Sequence, residues 1–264
     1  MALCVGYGLN IATEIPIPGA MRATDGEPAE IHIDYGAPAS WTEQLAWGPY
    51  RVADADLFDF TAPGVATFSC RDRRRITITP NERADEAAIA AMLIATALPA
   101  LLWARGEIVV HAAALAMPGA HSAMLFAGPS GSGKTTRLLR GIDAGGRAIA
   151  DDSVRLRLVD DVVVGSGLPG GAFVRGGGDG HGDPTRTFRA FPSDRQLREY
   201  PVEFTYLIGS QETHSASGPR LSGLTALLRH RHRWRIAQLL RAEPELLLSL
   251  ARIAAAMKIG PIRG

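Results

Sequence analysis

Gly128–Pro129–Ser130–Gly131–Ser132–Gly133–Lys134–Thr135 is the stretch whose residue types and spacing most plainly carry chemistry. It fits G-x-x-x-x-G-K-[ST] at every fixed position. A triphosphate crowds several negative charges together, so its cradle needs many donors and little side-chain bulk. Glycines let the backbone wrap with successive N–H groups pointing inward, and the start of a following helix adds positive potential. Lys134 supplies a point charge for the β- and γ-phosphates, the Thr135 hydroxyl suits Mg²⁺, and Thr136 completes the candidate nucleotide site. Short glycine patterns also occur in ordinary turns, but here both flanks fit. The apolar run Met124–Leu125–Phe126–Ala127 reads as a strand, and an amphipathic helix is expected over 134–144, closed by Gly145–Gly146.

Phosphoryl transfer also needs a carboxylate near the metal and a group that accepts the nucleophile's proton. Asp151–Asp152 follow the apolar residues 148–150, where a neighbouring parallel strand would aim side chains at the loop. Successive strand residues point to opposite faces, so the two carboxylates are expected to divide the work, one on metal-bound water and one toward the acceptor hydroxyl. Aspartate pairs also end strands at turns and caps; the glycine loop upstream favours catalysis. His111 falls within a strand expected to run from Ile108 to Ala116, where a histidine by itself reads as a core residue.

Taken together, H-A-A…GPSGSGKTT…GGRAIADDSV resembles the catalytic domain of the HPr kinase/phosphorylase family. The likeness covers about residues 106–165 and includes the 18-residue step from Lys134 to Asp152. It implies a P-loop kinase core of the HPr kinase type and a serine/threonine kinase using ATP and Mg²⁺. By the same resemblance Asp152 is the proton-accepting aspartate, Asp151 supports it and His111 is the active-site histidine. Thr135 and Asp151 are then the candidate metal ligands. The family's glutamate-bearing signature has no equivalent, since no glutamate lies between Glu107 and Glu199. With that departure the resemblance does not carry over phosphorolysis or HPr as the substrate. It also leaves Asp179, Asp183 or Arg175 as stand-ins. Divergent relatives resemble the kinases that phosphorylate lasso-peptide precursors, so a peptide or small-protein substrate is expected. A small-molecule kinase and a nucleotide-binding switch or ATPase are the alternatives.

Other clusters carry less. His181 with Asp179 and Asp183 could mimic a metal site, but they sit in the glycine-dense run 165–184, where small polar residues are usually solvated. Arg186 and Arg189 could meet transferred phosphoryl charge, though surface arginine is the simpler reading in a chain with 26 arginines. The run Arg229–His230–Arg231–His232–Arg233–Trp234–Arg235 reads as the basic outer face of a helix.

The elements that must position this chemistry follow from pattern. Residues 1–81 alternate and turn like a β-rich N-terminal lobe, 82–209 form the expected kinase core, and 210–264 a linker with a basic helical C-terminal segment, giving an α/β fold. Asn81 reads as the cap of the helix that follows. Hydrophobic residues make up 46% and charged residues 21%, which excludes general disorder. Net charge is +1, but residues 220–264 hold nine Lys/Arg against two Glu, so an acidic peptide is expected to dock there. Nucleic acid and membrane are not expected partners; a homo-oligomer is compatible. The apolar stretch 87–104 is alanine-rich and reads as a core helix rather than a membrane span. Residues 1–10 lack a secretory pattern and two cysteines make no disulfide framework, so a cytoplasmic location is expected.

Overall fold

Alternation builds the first sheet. Ile31, Ile33, Ile76 and Ile78 are fully buried, whereas His32 and Thr77 between them are half-buried, as the two-residue period of a strand requires. The computed structural model describes residues 1–23, 26–40, 45–54, 56–175, 186–208, 219–239 and 243–261. Nine strands between Ala2 and Pro80 form one sheet, with Met21–Arg22 at one edge and Leu45–Trp47 at the other. Parallel pairing joins Leu9–Thr13 to Ile31–Tyr35, and Ile31–Tyr35 to Arg75–Pro80.

A helical stretch, Glu86–Ala104, follows. Its cap is Asp85, whose carboxylate accepts the Ala87 N–H; Asn81 instead closes a turn through its carbonyl to Ala84 N–H. The stretch is α-helical over Glu86–Met92, π-helical over Leu93–Ala97 and α-helical again over Leu98–Ala104. It is long and apolar enough to cross a membrane, yet two-thirds of it is buried inside the molecule. Leu93, Leu98 and Trp103 join the core shared by both sheets.

The second sheet runs in the order Ile108–Val110, Val154–Val159, Val162–Ser166, Glu199–Leu207, Ala123–Ala127, Ala112–Ala116 and Arg147–Ala150. The strand expected over 108–116 is broken at His111. Its first half pairs with Val154–Val159 and its second with Ala123–Ala127. The physical reason is a contact from a distant segment: the His111 N–H donates to His230 O at 2.6 Å, so it leaves the ladder of its own strand. Arg147–Ala150 is also not the direct neighbour of Ala123–Ala127, because Ala112–Ala116 lies between them, antiparallel to both. Two antiparallel steps still point both strand ends the same way. The C-terminal segment is not purely helical: after Glu243–Ala256, Lys258–Pro261 adds a parallel strand to Glu199–Leu207. A small hairpin, Gly171–Arg175 with Arg186–Ala190, stands apart from both sheets.

Candidate active site

The strand Ala123–Ala127, the turn 128–133 and the helix Lys134–Asp143 form one continuous unit. Leu138 and Ile142 pack the helix on Leu115, Phe126 and Ala148 of the sheet, which fixes where its first turn points. Gly133 opens the helix in a left-handed conformation (φ 91°) that a side chain would strain. A Cβ on Gly128 would lie 2.7 Å from the Ile208 carbonyl, so the turn admits no side chain there.

This turn faces a cavity of about 900 Å³. Ser130, Gly131, Gly133, Lys134, Thr135 and Thr136 line one end of it. Gly128, Pro129 and Ser132 sit in the turn behind that lining. Lys134 is buried, and its Nζ donates to the carbonyls of Gly128 (2.8 Å) and Pro129 (3.0 Å). Burial pulls its pKa down, against the opposing pull of Asp152 and Asp151. Thr135 Oγ1 donates to Asp151, 3.0 and 3.1 Å from its two oxygens. Burial, and next the charge of Asp152, push the Asp151 carboxyl up to about 6.

Asp152 does not alternate away from Asp151; both line the cavity. The strand has ended, Asp152 is left-handed (φ 68°), and Ser153 N–H closes a tight turn on Asp151 O at 2.9 Å. His111 Nδ1 donates to the Asp152 carbonyl (2.8 Å) and lies 3.4 Å from its carboxylate. Burial lowers the His111 pKa; Asp152 opposes this and Lys134 adds to it. The geometry therefore gathers Lys134, Thr135, Asp151, Asp152 and His111 around one space. The donors available there are a glycine-rich turn at the start of a helix, a hydroxyl and a carboxylate at Thr135 and Asp151, and a second carboxylate at Asp152.

No family model matches the chain, and no curated protein matches it. Among solved structures it bears a weak likeness to the Hpr(Ser) kinase/phosphatase from Coxiella burnetii. The identity is 19%, the likeness covers 42% of this chain and 66% of that one, and the TM-score is 0.33.

Two residues at this site gave no signal in the sequence. Tyr7 belongs to a turn of the N-terminal sheet that carries no motif, yet it lines the cavity and its hydroxyl lies 2.5 Å from Ser153 Oγ. Complete burial raises its pKa, which keeps it a neutral phenol. Its position is fixed by Arg155, which donates to Tyr7 O at 2.9 Å and pairs with Glu107. The second is His232. The run 229–235 is not a basic helix face: the helix Pro219–Arg229 ends there, Arg231 bridges Val110, and His232 is buried with its ring stacked on His111, centroids 5.3 Å apart. A run of alternating Arg and His hides which of its members turns inward. Arg189 pairs with Asp143 at 2.9 Å on the surface. Asp179, His181, Asp183 and the linker 210–218 lie outside the described residues, as do the side chains of Arg175 and Arg186.

Proposed function

We propose that the protein is an ATP-dependent kinase that phosphorylates a serine or threonine hydroxyl of a peptide or small protein. One observation carries this reading: a glycine-rich turn opening a helix shares a cavity with a buried lysine and two adjacent aspartates in different environments. The turn suits a triphosphate. Ser132 Oγ is buried with no hydrogen-bond partner among the described residues, so the turn holds a polar atom ready for a ligand. Residues 128–136 would hold the nucleotide phosphates, with Lys134 exchanging its contacts to the turn carbonyls for phosphate oxygens.

Thr135 and Asp151 are oxygen donors at the entrance of the helix and suit Mg²⁺, which when bound neutralises charge on the β- and γ-phosphates. Asp152 takes the proton of the acceptor hydroxyl as its oxygen attacks the γ-phosphorus. The bond from that phosphorus to the β–γ bridging oxygen breaks, and ADP leaves with the bonding pair. The turn N–H groups and Lys134 stabilise the charge that develops. His111 holds the Asp152 turn through the carbonyl. The charge excess of residues 220–264 supports docking of an acidic peptide there. Free Cys4 and Cys70 suit a reducing cytoplasm.

Incubation with ATP, Mg²⁺ and candidate peptides, read by mass spectrometry, tests the proposal. A phosphopeptide is expected, with Asp152→Asn slowing transfer by about 10²–10⁴-fold while nucleotide affinity holds. Full transfer by that variant overturns the mechanism. Label found only on metabolites supports a small-molecule kinase instead, and hydrolysis with no labelled hydroxyl a nucleotide-binding switch or ATPase.

A further inference from the structure

Pro99 has no N–H, so the helical acceptor four residues before it, the Ala95 carbonyl, cannot be satisfied by its own helix in the α pattern. The chain answers with a π turn: Leu98 N–H reaches back to Leu93 O over Leu93–Ala97. The Ala95 carbonyl is then free to accept from outside the helix. His232 Nε2 donates to it at 3.0 Å, and Arg233 Nε at 3.0 Å. A carbonyl only accepts, so the His232 proton sits on Nε2. The backbone secures the same segment, since His232 N–H donates to Val109 O at 2.9 Å and the indole of Trp103 donates to His232 O.

His232 in turn meets His111 face to face, with ring centroids 5.3 Å apart and planes 22° from parallel. On its other side His111 donates from Nδ1 to the carbonyl of Asp152, the residue held at φ 68°. The contacts thus run unbroken from the helix break at Pro99, through Ala95, His232 and His111, to the turn that aims Asp152. Ligand atoms of His111, Asp152 and His232 lie within 4.8 Å of one another. Stacked rings, however, direct their in-plane lone pairs side by side rather than to one point, and each ring already commits an N–H to a carbonyl. Metal binding is the poorer reading of this cluster.

We infer that His232 is a positioning residue: it fixes the ring of His111, and through it the left-handed turn that presents the Asp152 carboxylate to the cavity. The kinetic part rests on the phosphotransfer proposed above; the structural part does not. In water a free histidine side chain favours the Nε2–H tautomer, so a neutral His111 held as Nδ1–H is a signature of its holder. Long-range ¹H–¹⁵N spectra of the histidine side chains, recorded on the whole protein near neutral pH, read that tautomer directly.

Wild type is expected to show His111 as Nδ1–H, and His232→Ala a mixture dominated by Nε2–H. In His232→Ala, kcat should fall about ten- to a hundredfold while KM for ATP stays within about twofold, because the base is misplaced and the nucleotide is not. His232→Gln, which can return an N–H to Ala95 O, should recover part of kcat. Should His232→Ala fail to fold by thermal melt, His232→Phe keeps the ring volume and serves in its place, with partial loss of the Nδ1–H signature expected. A folded His232→Ala or His232→Phe with wild-type His111 tautomer and kcat overturns the inference. If wild type transfers phosphate to nothing, the proposed function falls, and the tautomer comparison still decides the role of His232.

Discussion

The two ends of the cavity are built in opposite ways. One end is a single run of chain, 128–136, which offers backbone N–H groups, one lysine and two threonines. The other is assembled from Tyr7, His111 and Asp152, with His232 behind them, side chains drawn from three strand ends and a segment after a helix. Anion recognition by backbone needs a local conformation, which a short run of sequence can specify alone. Aiming a carboxylate needs neighbours on several sides, and those come from wherever the fold brings them.

The largest difference between the two ends is expected at Lys134. Lys134→Ala should lower transfer by about 10³-fold and weaken nucleotide binding as well, whereas changes at the histidine end should leave binding intact. Isothermal titration with a non-hydrolysable ATP analogue separates the two, and equal loss of binding at both ends would erase the distinction. Gly128→Ala tests the local rule. Its Cβ would meet the Ile208 carbonyl at 2.7 Å and Ser132 Oγ at 2.6 Å, so a stability loss of about 1–3 kcal/mol is expected in urea melts. A neutral substitution would show that the turn has room it does not display.

Two buried groups around the cavity, Asp151 beside the helix start and His232 behind the histidine end, respond to pH with opposite sign. Asp151 titrates near 6 in the fold against an ordinary 3.8, so the folded state holds the extra proton between those values. Its contribution is present below pH 3.8 and is lost as pH rises through 6. His232 titrates near 4 against an ordinary 6.5, chiefly through burial, so the unfolded chain takes up the proton first. Its contribution is present above pH 6.5 and is lost as pH falls through 4. Asp151→Asn should therefore raise Tm at pH 7, by about 2–4 °C for each kcal/mol relieved, and His232→Phe should flatten the acid-side fall. Thermal melts from pH 4 to 8 check both, and curves parallel to wild type would refute the assignment. The smallest effect belongs to neither end. Arg189 and Asp143 are both well exposed, so Arg189→Ala should shift stability by less than about 0.5 kcal/mol and leave transfer unchanged.

Legibility depended on how local each pattern is rather than on which end of the cavity it serves. Lys134, Thr135 and the paired aspartates were readable because motif spacing and strand ends are local patterns, and the strand–turn–helix unit around them was equally plain. The break at His111 was not readable. The apolar run Ile108–Ala116 looks continuous, and its interruption depends on a carbonyl of His230, 119 residues away. Asp152 was expected to alternate with Asp151, but the turn at Ser153 overrides the two-residue period and brings both carboxylates to one cavity. Tyr7 and His232 had no signal at all, one in an unremarkable Tyr-Gly turn and the other inside a basic run.

What the sequence determined by itself is the kind of chemistry available: a glycine-rich turn before a helix, a lysine within it and carboxylates at a strand end. Each depends on backbone geometry that a few adjacent residues impose. Only the tertiary structure decided how that chemistry is aimed, through the Ala95 carbonyl that Pro99 releases, the histidine stack and the phenol of Tyr7. Such contacts are satisfied hydrogen bonds and ring packing between distant segments, and their energy exists only once the core has closed around them.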